Sequence, residues 1–119
     1  MPSLVETAVQ TYIRAAGERD PAVRATLLEA CFAADGRLVT RSRVIQGREA
    51  ISAMIGRFHA DPTMRGFRLT SAIDTASTTF RYRSVAERHD GTSVDFFDAG
   101  EIDADGRICT LLVFDGPLA

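Results

Sequence analysis

Hydrophobic positions change their spacing about halfway along this chain. Up to His59 they recur every three or four residues, and from Phe67 onward every second residue, so the pattern predicts helices first and strands afterwards. Ser3 and Glu6 form a capping box ahead of Val5, Ala8, Val9, Tyr12, Ile13 and Ala16, which share one helical stripe, and Gly17 ends that first helix. Asp20-Pro21 is an N-cap followed by proline at the first helical position. It predicts a second helix with Val23, Leu27, Ala30 and Cys31 on its inner face and Phe32 anchoring its end. Asp35-Gly36 turns the chain into a short strand, Arg37 to Thr40, and Arg41 to Arg43 form a polar connection. A third helix is predicted from Arg48 to His59 by the spacing of Ile51, Met54, Ile55 and Phe58, and Asp61-Pro62 stops it.

The rest alternates. After a loop from Met64 to Gly66, Phe67, Leu69, Ser71 and Ile73 mark one strand, and longer ones run from Thr78 to Arg88, Thr92 to Asp103 and Arg107 to Phe114. His89-Asp90-Gly91 and Ala104-Asp105-Gly106 separate the last three, and Asp-Gly supplies the positive φ that tight hairpins need. Phe80, Tyr82 and Ser84 fall inward in the first of these, with Arg81, Arg83 and Glu87 in water. In the second, Asp98 shares a face with Val94, Phe96, Gly100 and Ile102. A carboxylate in phase with an apolar face is either a functional group or a sign that the Phe96-Phe97 doublet has shifted the register by one. The last strand is apolar on both faces, with Cys109, Leu111 and Val113 on one and Ile108, Leu112 and Phe114 on the other, which predicts a homodimer packed sheet against sheet.

Composition narrows the chemistry. The 119 residues, 45% of them hydrophobic, suit one domain over 1–119. A net charge of −2 gives no footprint for nucleic-acid phosphates. All 14 basic residues are Arg, so Schiff-base and P-loop lysine chemistry are excluded. Arg37, Arg41 and Arg43 cluster at what reads as a solvated edge, with capture of an anion at a pocket rim as the alternative. Cys31 and Cys109 read as reduced thiols of a cytoplasmic protein, and neither they nor His59 and His89 have metal-ligand spacing, so no metal or cofactor is expected. No apolar run is long enough for a membrane span.

Element order and several short segments resemble the nuclear transport factor 2-like superfamily, in its SnoaL-like polyketide cyclase and ketosteroid isomerase-like branch. Val9 to Asp20 resembles the first helix of ketosteroid isomerases, and Phe32 to Thr40 the superfamily's turn into its first strand. Gln46 to Phe58 resembles its third helix, and Ile102 to Asp115 its terminal hairpin. The resemblance implies an α+β fold: a cone-shaped, curved antiparallel sheet enclosing the N-terminal helices, cystatin-like in outline. It also implies that Tyr12 and Asp98 stand where ketosteroid isomerases place the two hydrogen-bond donors of an oxyanion hole, the acid kept protonated by an apolar site. Thr40 stands where that family has its general base, and a hydroxyl without an adjacent base cannot take a proton from carbon at neutral pH.

Two functions follow as expectations. One is a pocket for a small apolar molecule with a carbonyl, acted on by proton transfer as in an isomerase, cyclase or dehydratase. Tyr12 and Asp98 would be its catalytic groups, Thr40, Met54, Phe58, His59, Phe80, Tyr82 and Phe96 its binding residues, and His59 or Asp74 a substitute base. The other is a non-catalytic dimerisation or ligand-sensing domain in which Tyr12 and Asp98 bond one another. Epoxide-hydrolase-like chemistry around Arg81 and Arg83 is a weaker third option.

Overall fold

The computed structural model describes residues 2–116. Three helices, α1 (Leu4–Ala16), α2 (Pro21–Cys31) and α3 (Arg48–Ala60), pack on a sheet of seven strands. The strands are β1 (Phe32–Val39), β2 (Val44–Gln46), β3 (Met64–Leu69), β4 (Asp74–Ala76), β5 (Thr79–Arg88), β6 (Ser93–Ile102) and β7 (Ile108–Asp115). Their order is β2-β1-β7-β6-β5-β3, with β4 also on β5, and the sheet is curved and does not close. Every pairing is antiparallel except β1 with β7, which run parallel.

The expected start and turn signals operate. The Ser3 hydroxyl accepts from the Glu6 N–H at 3.1 Å, and the Asp20 carboxylate accepts from the Ala22 N–H at 2.9 Å. Gly91 and Gly106 close the two hairpins with φ of 88° and 79°, a region open to glycine at little cost. Gly100 has a different task. A Cβ there would run into the Phe80 ring and the Thr110 carbonyl oxygen, so its bareness lets β6 press against its neighbours where the sheet bends.

Four expectations are corrected. The inner face of α2 is Arg24, Leu28 and Cys31, while Val23 stays 44% exposed. The face is rotated because Arg24 goes inside, donating from Nε to Ser52 Oγ at 2.9 Å and from Nη1 to the Glu18 carbonyl at 2.8 Å. In β7, Ile108 joins Leu111 in the core rather than facing outward. Glu101 pairs with Thr110 and Ile102 with Ile108, so Cys109 is an extra residue, and this bulge turns the strand's start over. The short strand expected at Arg37 begins earlier, at Phe32, and β3 already begins at Met64, where a loop was expected.

Candidate functional site

A cavity of about 230 Å³ lies between α1, α3 and the concave face of the sheet. Its walls are mostly apolar, with Ala16 from α1, Leu38 from β1, Met54, Ile55 and Phe58 from α3, Phe67 from β3, Phe96 from β6 and Val113 from β7. The polar contributions come from Tyr12, Thr40, Ser84 and Asp98. This brings together six of the expected site residues: Tyr12, Thr40, Met54, Phe58, Phe96 and Asp98.

Register decides the status of Asp98. It pairs with Tyr82 on β5 and Val113 on β7, which puts it on the inner face at 4% exposure, so the alternative register is excluded. The Tyr82 hydroxyl donates to Asp98 Oδ2 at 2.8 Å, and Oδ1 has no partner. Burial pushes the Asp98 carboxyl up to about 7, and the Tyr82 hydrogen bond opposes part of that rise. When Asp98 is protonated, Oδ2 is already the acceptor for Tyr82, so the proton belongs on Oδ1. Burial, followed by the neighbouring Asp98 charge, pushes the Tyr12 phenol far above its ordinary range, so near neutral pH it is a hydrogen-bond donor and not a phenolate. Beside it, burial pushes the Cys31 thiol up to about 12, which keeps it protonated and unreactive.

Three expected binding residues lie elsewhere. Phe80 and Tyr82 point inward but stack on each other, centroids 6.1 Å apart and planes at 12°, in the core beyond the cavity. Tyr82 is thus the carboxyl's hydrogen-bond partner rather than a ligand wall, and the buried pair is Tyr82–Asp98 rather than Tyr12–Asp98. His59 lies outside the cavity: its Nε2 is 2.8 Å from the Ala16 carbonyl and its ring sits edge-on to Phe58. Asp74 is exposed and accepts from Arg81 Nε at 2.7 Å, which removes both the substitute base and the epoxide-hydrolase-like option from the cavity. Thr40 sits at the cavity but hydrogen-bonds the backbone of Arg43. In the Arg cluster, Arg41 ties to the Asp115 carboxylate at 2.9 Å and to its carbonyl, an exposed latch on the end of β7.

Ser84 was the missed residue. It is 1% exposed, borders the cavity, and its Oγ has no partner among the described residues. Its inward phase with Tyr82 was the available signal. An unpaired buried hydroxyl or carboxyl oxygen costs about 1–3 kcal/mol, and among the described residues the two such oxygens belong to residues that border the same cavity. No group of three or more potential metal ligands occurs among the described residues, and no helix is long and apolar enough to cross a membrane.

Solved structures share this architecture. A SnoaL-like-family protein from Agrobacterium tumefaciens str. C58, described as a candidate isomerase, matches 96% of this chain and 98% of its own at 26% identity with a TM-score of 0.83. A cystatin-like protein of unknown function from Methylobium petroleophilum PM1 matches 98% of this chain and 78% of its own at 17% identity, TM-score 0.78. A nuclear transport factor 2-like protein of unknown function from Exiguobacterium sp. 255-15 matches 93% and 99% at 15% identity, TM-score 0.70. No family model and no curated protein matches the sequence. The chain shares the fold of these SnoaL-like, cystatin-like and nuclear transport factor 2-like structures.

Proposed function

We propose that the cavity binds a small, largely apolar molecule bearing a carbonyl, and that Asp98 exchanges a proton with it. The observation carrying this reading is a buried carboxyl in an apolar wall with one oxygen held by Tyr82 and the other unpaired. In its protonated form Asp98 donates from Oδ1 to the carbonyl oxygen and Tyr12 supplies a second donor, which binds the ketone; once the ionised acid has taken a proton from carbon, the same two donors stabilise the charge of the enolate it has formed. With Thr40 hydrogen-bonded to backbone and His59 and Asp74 outside, Asp98 is the one carboxyl lining the cavity among the described residues. Proton movement therefore runs through it: the ionised acid takes a proton from the carbon beside the carbonyl while Tyr12 holds the oxygen, then returns that proton to another carbon or to oxygen. A group titrating near 7 suits both halves of such a shuttle. This is the chemistry of an isomerase or a cyclase, and the similarity to the Agrobacterium protein favours it.

Non-catalytic ligand sensing is the second reading, favoured because the described residues put no second carboxylate and no imidazole in the cavity. Solvent exchange separates the two. With 1-tetralone in D₂O, proton NMR should show the hydrogens beside the carbonyl lost at least tenfold faster with the protein than with Asp98→Asn. Binding without that acceleration would leave sensing, and no binding at all would remove the pocket reading.

We further propose that a second copy covers the outer face of the sheet, where Phe97, Ala99 and Leu112 are half-buried and Phe114 is 40% exposed. Sedimentation equilibrium should show a dimer that Leu112→Glu splits; a monomeric parent protein at tens of micromolar would refute it. Cys31 and Cys109 are free thiols, which suits a reducing compartment such as the cytoplasm.

A further inference from the structure

The geometry points to a ligand with two oxygens, one taken by Asp98 and Tyr12 and the second by Ser84, so that the preferred molecule is a neutral hydroxy- or oxo-ketone rather than a simple ketone. This deepens the carbonyl-binding reading and rests on it. Ser84 pairs with Phe96 and Tyr82 with Asp98, so Ser84 and Asp98 are diagonal neighbours on the inner faces of β5 and β6. Their Cβ atoms are then about 7 Å apart. Both side chains are more than nine-tenths buried, both border the cavity, and Ser84 Oγ and Asp98 Oδ1 are each without a partner.

The pattern of unmet hydrogen bonds describes the missing partner. Protonated Asp98 and Tyr12 are donors and call for an acceptor oxygen, a carbonyl. Ser84 both donates and accepts, so it takes a hydroxyl or a second carbonyl. Across that diagonal one oxygen or two can meet both side chains, and two let Ser84 keep a bond of its own while Asp98 and Tyr12 hold the carbonyl. Two oxygens on opposite positions of a small ring span the gap. Among the described residues no Arg or His lines the cavity, so none of them would neutralise a carboxylate ligand. A cavity of about 230 Å³ holds roughly ten non-hydrogen atoms at the packing of a liquid or slightly denser.

The rival explanation is an ordered water that satisfies Ser84 and Asp98 as part of the fold. The two differ in what the Ser84 hydroxyl contributes. If it waits for a ligand, removing it relieves an unmet hydrogen bond in the empty protein; if it holds a water, removing it weakens the fold.

The test is binding of 1-tetralone and of 4-hydroxy-1-tetralone to the full chain, followed by NMR titration. The parent protein should bind the hydroxy ketone about three- to tenfold more tightly, the effect of one added hydrogen bond. Ser84→Ala should bind both alike, read as the ratio of the two affinities falling to about one, with a melting temperature equal to or above the parent's. Ser84→Cys, which keeps the shape but bonds weakly, should also lose the preference. Equal binding of the two probes by the parent protein, a preference that survives Ser84→Ala, or a Ser84→Ala protein that melts several degrees lower would each overturn the inference while leaving the carbonyl site intact. Failure of 1-tetralone itself to bind would take down both.

Discussion

Among the described residues, Arg24 between the helices and Asp98 in the cavity wall are the two buried side chains of the Arg, Lys, Asp and Glu type, and each is 4% exposed. Burying a charge is costly unless its hydrogen bonds are met. Arg24 meets that condition inside the protein, through Ser52 Oγ and the Glu18 carbonyl, and no buried atom of it lacks a partner. Asp98 meets it only halfway: Tyr82 holds Oδ2, and Oδ1 is left alone beside a cavity. Equal burial thus hides two different roles. A polar group satisfied by its own chain holds elements together, here α2 to α3 and to the loop before α2. One left half-satisfied at a cavity keeps an oxygen open to a partner from outside, as the proposed ligand would be.

The contrast breaks first at Arg24. Arg24→Ala removes two hydrogen bonds from a charged donor and leaves the Glu18 carbonyl and the Ser52 hydroxyl without it. Urea unfolding should show a loss of about 4 kcal/mol. Whatever fraction remains folded should bind 1-tetralone as the parent does, because Arg24 does not line the cavity. A small loss of stability, or a selective loss of binding, would show that satisfaction inside the chain is not what distinguishes Arg24 from Asp98.

Asp98 comes next, with an effect that depends on pH. An unfolded aspartate titrates near 3.9, and the folded one is pushed up to about 7. Between those values the native state keeps a proton that the unfolded chain has released. The contribution of Asp98 to stability is therefore fully present below about pH 4, is lost as pH rises through 7, and stays level above. Asp98→Asn cannot titrate, so relative to it the parent should weaken by roughly 3 kcal/mol from pH 4 to pH 8. Urea midpoints of the two proteins across that range check it. Parallel curves would mean that Asp98 titrates normally and is not the proton-exchanging group.

These two residues also mark what could be read from the chain. The switch from helical to alternating spacing gave the layers, and Asp98 was found because its phase matched Phe96 and Ile102. The inner face of α2 was read from Val23, Leu27, Ala30 and Cys31 without Arg24, whose partners Ser52 and Glu18 come from other elements. The bulge at Cys109 and the parallel pairing of β1 with β7 depend on contacts between distant segments, which no local pattern encodes. Alternation also names a face but not a depth. Phe80, Tyr82 and Ser84 all point inward, yet Ser84 borders the cavity while the two aromatic rings stack in the core beyond it. His59 follows Phe58 on the helix, but its ring turns to the Ala16 carbonyl at the edge.

The finest distinction concerns Tyr82, which makes Asp98 half-satisfied rather than unsatisfied. Its own phenol is pushed well above its ordinary range, by burial first and by the Asp98 charge second, so it is a lasting donor. Donation to Oδ2 favours the ionised acid, and it is the one influence opposing burial. Tyr82→Phe keeps the stacked ring and removes only that donor. The Asp98 midpoint, followed by carbon-detected NMR of the carboxyl, should move above 7, and the alkaline end of the tetralone exchange profile should move with it. Stability should fall by about 1 kcal/mol, and by more at pH 8, where the carboxylate needs the donor, than at pH 5, where the neutral acid needs it less. With Oδ2 released, the carboxyl can also turn its proton away from the cavity, so 1-tetralone should bind more weakly even where Asp98 is fully protonated. A midpoint that stays put or falls would mean that Tyr82 bonds the neutral acid as well as the ion, and the proton would then have no reason to sit on the oxygen that faces the ligand.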